Sequence, residues 1–224
     1  MAKHKLFEAV EEGDVESLRN LLKNSKGTVD YGSLLLLALD RNFPETAILL
    51  LENKADPNVR DNRGNAPLFY VAAYHNIQAI TSLLDHKANP NIQNHVGRTA
   101  LHSSAKLEGK KSVKLLLENK ADPNIPDDYG ETPIFYARNP KIFTLFLEHN
   151  ADIDFKNKEE HSIRYLLEEP SLFEYNSHLR DALNDYLAQQ LQNTKVADEG
   201  VTEPDNQVNL LAEENASNNA QDIS

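Results

Sequence analysis

The sequence predicts an all-α solenoid of stacked helix-turn-helix units with hairpin loops, a helical C-terminal cap and a disordered acidic tail. A ten-residue block, Leu-Leu-Leu-Glu-Asn-Lys-Ala-Asp-Pro-Asn, occurs twice, at 49–58 and 115–124. Variants of it, Leu-Leu-Asp-His-Lys-Ala-Asn-Pro-Asn and Phe-Leu-Glu-His-Asn-Ala-Asp-Ile-Asp, fill 83–91 and 146–154. Their shared alanines, Ala55, Ala88, Ala121 and Ala151, are spaced by 33, 33 and 30 residues. Between them, again 33 apart, stand Gly64-Asn-Ala-Pro-Leu-Phe, Gly97-Arg-Thr-Ala-Leu-His and Gly130-Glu-Thr-Pro-Ile-Phe. A fixed period of this length marks a repeat architecture. One pair of short helices cannot bury its apolar face alone, so neighbouring units must stack.

The elements follow in order. Residues 4–27 place Leu6, Phe7, Ala9 and Val10, then Leu18, Leu21 and Leu22, at helical spacing. The polar Glu11-Glu12-Gly13-Asp14 turn between them gives a two-helix first unit. The second unit, about 31–57, lacks the expected glycine and has Ser33-Leu34 instead of Thr-Pro, yet keeps Leu35, Ala38, Ile48 and Leu49–Leu51. In later units Thr99 and Thr132 are placed as N-caps before Ala100 and Pro133, residues suited to a first helical turn. Leu83-Leu84, Leu115–Leu117 and Phe146-Leu147 supply the apolar face of each second helix. Gly64, Gly97 and Gly130 sit where the connector needs positive φ. The Asp-Pro-Asn and Asn-Pro-Asn segments end the helix before them and open that connector. The fifth unit is three residues short at Ala137-Arg-Asn-Pro140, so its first helix should stop at Asn139 and Pro140 should open the second. Helical spacing continues over 161–169 and 177–192, with Pro170 between, as a C-terminal cap. The expected divisions are therefore 1–169 for about five repeats, 170–192 for the capping helix and 193–224 for the tail.

Seven acids against one lysine, Lys195, and no aromatic residue make up the charge of the last 32 residues. Such a segment buries too little apolar area to offset its ordering entropy and should be disordered. The whole chain carries a formal net charge of -12, which argues against a phosphate-backbone binder. Its longest apolar run, Leu34–Leu39, is far below the roughly 20 residues that span a bilayer, so a soluble, cytoplasmic protein with no membrane partner is expected. With no cysteine, disulfides, thiolate metal sites and thiol nucleophiles are absent. No nucleophile elbow, phosphate loop or zinc-helix motif occurs, and the eight histidines are scattered. No catalytic, cofactor or metal site is expected.

The four Ala-Asp-Pro-Asn-like blocks and the Gly-x-Thr-Pro/Ala-Leu/Ile-His/Phe blocks together resemble the ankyrin repeat family over residues 4 to 168. The resemblance implies a solenoid of turns and paired short helices. It implies that His102 makes structural hydrogen bonds between neighbouring turns, and that Phe69 and Phe135 exchange this polar bridge for packing. His86 and His149 share a repeat position, which assigns them to the scaffold. It also implies a non-enzymatic interaction module whose protein partner docks on the hairpin tips and the inner helices. Carried over by position, the tips are Arg60, Asn62, Arg63 and Asn65; Gln93, His95, Val96 and Arg98; then Asp128, Tyr129 and Glu131. The helix positions are Ala73, Tyr74, Lys106, Leu107 and Arg138. Asn58, Asn91 and Asn124 close each loop by side chain to backbone bonding, and family asparagines at this position can be hydroxylated. A monomer is expected. Lysine-over-arginine and asparagine-rich usage, with Glu213-Glu214 near the end, is similar to small ankyrin effectors that intracellular bacteria deliver into host cells. That likeness makes a host protein the alternative partner and secretion the alternative location.

Overall fold

A computed structural model describes residues 2–25, 29–169 and 173–199 of the chain. The chain divides into two compact units, Met1–Leu183 and Asn184–Ser224.

In the first unit, helices come in pairs: α1 (Ala2–Glu11) with α2 (Val15–Lys23), α3 (Tyr31–Asp40) with α4 (Pro44–Glu52), α5 (Pro67–Ala73) with α6 (Ile77–Asp85), and α7 (Ala100–Lys106) with α8 (Lys110–Glu118). A 3-10 turn, Pro133–Tyr136, precedes α9 (Pro140–Glu148), and α10 (Ile163–Glu168) and the start of α11 (Phe173–Glu199) follow. First helices pack on first helices, α1 on α3, α3 on α5, α5 on α7 and α7 on the 3-10 turn. Second helices pack on second helices in a parallel row from α2 through α9. The core lies between the rows and is fully closed at Leu35, Leu50, Ile80, Leu101, Leu116, Phe143 and Phe146. Burying each such side chain contributes about 1.5–3 kcal/mol.

Local chemistry repeats with the period. Within a pair the chain turns through one left-handed residue, Gly13, Asn42, His75 or Glu108, with φ between 54° and 68°. After α4, α6, α8 and α9 it turns through another, Lys54, Lys87, Lys120 or Asn150. The Asx turn that follows belongs to Asp56, Asn89, Asp122 and Asp152, whose Oδ1 accepts the amide two residues on at 2.8–3.0 Å.

The expected elements stand where the sequence places them, with three differences. The first helix of the fifth unit is not a shortened α-helix ending at Asn139; it is a four-residue 3-10 turn ending at Tyr136, after which Ala137 is extended. Pro140 does open the second helix. The cap is longer than expected. Asn157 and Glu160 repeat the turn of Asp127 and Gly130, Glu160 taking the left-handed conformation at φ 63°, and Ser162 caps α10 through a bond from the Tyr165 amide. Helix α10 is thus the first helix of a further unit. Finally, α11 passes the expected boundary at Asn193 and runs to Glu199. Its turns from 184 to 199 are the described part of the second compact unit, where Leu187 and Leu191 are exposed. Pro170 and the rest of the acidic tail, 200–224, lie outside the described residues.

Candidate functional site

The hairpin tips are built by one carboxylate or amide per unit. Asp61, Asn94, Asp127 and Asn157 each accept two backbone amides on Oδ1, from the residues two and four positions on, at 2.7–3.1 Å. This folds each loop into a tight turn whose third residue projects: Arg63, Val96, Tyr129 and Glu159. Neighbouring tips are then tied edge to edge. His95 N–H donates to the Arg63 carbonyl at 2.9 Å, Asp128 to Val96 at 3.2 Å, and Lys158 to Tyr129 at 3.0 Å. The close approach demands glycine at the base of the turn. At Gly97, φ is 74° and a Cβ would lie 2.7 Å from the Asp128 nitrogen.

Below the tips, polar side chains lock one unit to the next. The Arg98 guanidinium donates to Asp127 Oδ2 at 3.2 Å and to the Tyr136 hydroxyl at 2.8 Å, while lying 5.0 Å from the Tyr136 ring centre. Tyr136 donates its own hydroxyl proton to Asp127 Oδ2 at 2.7 Å. Burial pushes Asp127 up, but the hydrogen bonds from Tyr136, the Tyr129 and Glu131 amides and Arg98 outweigh it and hold the carboxyl below its ordinary range. Tyr136 is driven well above the ordinary phenol range by burial and by Asp127. Two units earlier, Tyr70 donates to Asp61 Oδ2 at 2.6 Å and is pushed up to about 12, again by burial first and the carboxylate second.

His102 behaves as the repeat implies. Its Nδ1 accepts the Thr99 amide at 3.1 Å and meets Thr99 Oγ1 at 2.9 Å, while Nε2 faces the Glu131 carbonyl at 3.1 Å. An acceptor at Nδ1 and a carbonyl at Nε2 fit only the neutral ring with its proton on Nε2. Burial pushes its pKa down to about 4. His86 and His149 each donate Nδ1–H to the carbonyl four residues back, capping α6 and α9 alike.

The loop asparagines reach further than a local turn. Asn58, Asn91 and Asn124 accept the amides of Asn89, Asp122 and Asp152 in the following unit at 2.7–2.8 Å. Each also donates Nδ2–H to a carbonyl of that unit. They are bridges between repeats, whereas closure of their own loops falls to the residue two positions earlier.

The twelve residues expected to bind a partner therefore separate. Asn62, Arg63, Tyr74, His95, Lys106, Asp128, Tyr129 and Arg138 are exposed. The other four are engaged by the scaffold. Asn65 is buried, donating to Asp61 and accepting from Asn94 Nδ2 at 2.9 Å. Arg98 is spent on Asp127 and Tyr136. Arg60 is exposed but donates to the Gly64 carbonyl at 3.1 Å and to the Gln93 carbonyl. Glu131 is half-buried and gives its carbonyl to His102. Among the described residues of the first unit, four of the five large apolar side chains left in solvent pair by repeat position: Val96 and Tyr129 at the tips, Tyr74 and Leu107 at the ends of α5 and α7, all between 46% and 62% exposed. The fifth, Tyr165 on α10, stands outside this pattern and stacks on His161. Tyr74 is steadied by a hydroxyl bond of 3.4 Å to the Asp40 carbonyl, and the carbonyl of Leu107 is held by His75 Nε2–H at 2.9 Å.

Lys158 and Glu159 continue the tips into a unit where the consensus pattern fades from the sequence. The signal present there is Asn157, four residues before His161, standing as Asp127 stands to Glu131; the glycine that flags the other turns is absent. Among the described residues, no group of three or more His, Asp or Glu side chains is placed to hold a metal, and no helix is long and apolar enough to cross a membrane.

The family model for ankyrin repeats, three copies long, matches residues 6–94 and again 70–159. No curated protein matches the chain. Among solved structures, the crystal structure of EF0377, an ankyrin repeat protein, is similar with a TM-score of 0.73 and 24% identity, over 82% of this chain and 98% of that one. At that identity the likeness concerns the fold.

Proposed function

This chain belongs to the ankyrin repeat family, whose repeats are in general protein–protein interaction modules, and we propose that it is a non-enzymatic scaffold that holds a protein partner on its tips and inner-helix ends. The observation that carries this reading is the clustering of exposed apolar and aromatic side chains. Val96 and Tyr129 stand at one repeat position, and Tyr74 and Leu107 at another, on backbone tied from unit to unit. Tyrosine and arginine are the residue types that dominate interface energetics, and Arg63 and Arg138 stand exposed with them. The mechanism is preorganisation: each tip is closed by its own Asp or Asn and bonded to the next, so little ordering entropy is lost on binding. Replacing Tyr74, Leu107 and Tyr129 together by alanine should abolish capture of the partner from a lysate while leaving helical circular dichroism unchanged. Equal capture by both proteins would move the site elsewhere.

A second reading, delivery into a host cell to act on a host protein, is supported by the acidic C-terminal composition. Deleting residues 205–224 should then stop translocation; unchanged delivery removes that reading.

A further inference from the structure

The three residues missing from the fifth unit leave a hole. Helix α7 of the fourth unit spans seven residues, whereas the corresponding 3-10 turn spans four. Beside that turn lies a cavity of about 380 Å³. Ile134, Phe143, Ile163 and Leu167, all buried, form its walls, and Arg138 and His178, both exposed, complete the lining. His178 Nε2–H donates to the Arg138 backbone carbonyl at 3.1 Å, which fixes the main chain that carries the arginine. The Arg138 guanidinium itself makes no ion pair or hydrogen bond among the described residues.

The cavity suits a ligand on several physical grounds. An apolar cavity left empty costs stability in proportion to its volume, because its lining atoms lose their dispersion partners. Water is a poor filler of the inner wall, where the side chains of Ile134, Phe143, Ile163 and Leu167 offer it no hydrogen-bond partner. Apolar cavities of about 150 Å³ already take up benzene, and ligand pockets begin near 300 Å³. This cavity is open on one side, so entry requires no unfolding. In a chain of net charge -12, an uncommitted guanidinium at the rim of an apolar hole is the local exception. Arginine pairs with a planar carboxylate through two parallel hydrogen bonds. One cation matches one negative charge.

We infer that the fifth-unit cavity binds a small amphiphilic carboxylate, a medium-chain acyl or aryl acid, with its apolar body between Ile134, Phe143, Ile163 and Leu167 and its head on Arg138. The site stands apart from the tips; it shares Arg138 with the inner-helix positions, but binding of a small acid there does not depend on a protein docking on the tips. Its origin is visible in the alanine spacing, 33, 33 and then 30: losing one helical turn converts a packing position into a binding position.

The probes are octanoate and its neutral counterpart 1-octanol, titrated calorimetrically into the full chain and into Arg138→Gln. Octanoate should bind saturably, one per chain, about tenfold more tightly than 1-octanol, and raise the melting temperature. Arg138→Gln should weaken octanoate about tenfold and leave 1-octanol unchanged. The amides of Ile134, Ile163 and Leu167 should shift in heteronuclear spectra. Absence of saturable binding by either probe overturns the site, as do shifts confined to another region. Equal affinities unaffected by Arg138→Gln overturn the carboxylate assignment.

Discussion

His102 in α7 donates its Nε2 proton across the repeat boundary to the carbonyl of Glu131, 3.1 Å away in the next turn. That bond and the one Nδ1 accepts from the Thr99 amide together require a neutral ring, because a protonated Nδ1 could no longer accept. Burial holds the folded pKa near 4, against an ordinary value of 6.5. Between those values the unfolded chain binds a proton that the folded chain refuses, so stability is complete above pH 6.5 and falls as the pH drops toward 4. The loss amounts to about 3 kcal/mol. His102→Phe installs the residue that Phe69 and Phe135 already supply at this repeat position, and should cost about 1–2 kcal/mol at pH 7 through the lost hydrogen bonds. Urea unfolding at stepped pH should show the two stability curves crossing before pH 4. Parallel curves would mean that His102 is not the titrating group.

Tyr136 joins Asp127 to Arg98, whereas Tyr70 serves Asp61 without an arginine. Tyr136→Phe removes a donor to a charged acceptor and an acceptor from a guanidinium, and should cost about 2–3 kcal/mol. Tyr70→Phe should cost less, about 1–2 kcal/mol. Denaturant midpoints of the two variants, compared at neutral pH, check the order; equal losses would show that Arg98 adds nothing through Tyr136.

Asn91 holds the Asp122 amide at 2.8 Å and the Lys120 carbonyl at 3.2 Å. Asn91→Ala should destabilise the chain by about 1–2 kcal/mol. Hydrogen exchange gives a sharper readout: the Asp122 amide should lose protection while that of Asp152, bonded to Asn124, keeps it. Unchanged exchange at Asp122 would deny the bridge.

Gly97→Ala meets two obstacles, a φ of 74° and backbone 2.7 Å from its Cβ. Left-handed strain alone costs about 1–2 kcal/mol, and displacement of the next tip adds to it. Glu160, at φ 63°, occupies the corresponding place in the last described turn. Glu160→Gly relieves strain but loosens the unfolded chain, so it should be close to neutral. Thermal melts of both variants distinguish a positional requirement from a general one.

The repeat was legible because its determinants are local. Thr99 before Ala100, Pro140 at a helix start and glycine at φ near 75° all act within a few residues of themselves. The ends of the pattern were less legible for the same reason. Glu160 takes a glycine's conformation without being one, so the turn at 157–160 lacks the glycine signal of the others and keeps only Asn157. Nor does a spacing of 30 reveal whether a shortened helix stays α-helical; the backbone is already extended at Ala137 and at Asn139, the residue before Pro140, which leaves room for a 3-10 turn only. In the candidate face, position along the repeat identified Tyr74 and Tyr129 correctly as exposed. It could not tell that Asn65 and Arg98, which flank the same turns, are drawn inward by Asp61, Asn94 and Asp127. Those partners lie up to 29 residues away, and only the stacked geometry brings them together.

The proposal that tips and inner-helix ends form the docking face is tested most directly by site-specific photocrosslinking. A benzophenone side chain is placed singly at Tyr74, Leu107 and Tyr129, and at Gln78 and Lys114 on the exposed sides of α6 and α8. Crosslinks to one partner from the first three sites, with none from Gln78 or Lys114, are the expected result. Crosslinks from Gln78 and Lys114 alone would contradict it and place the partner on the second row of helices.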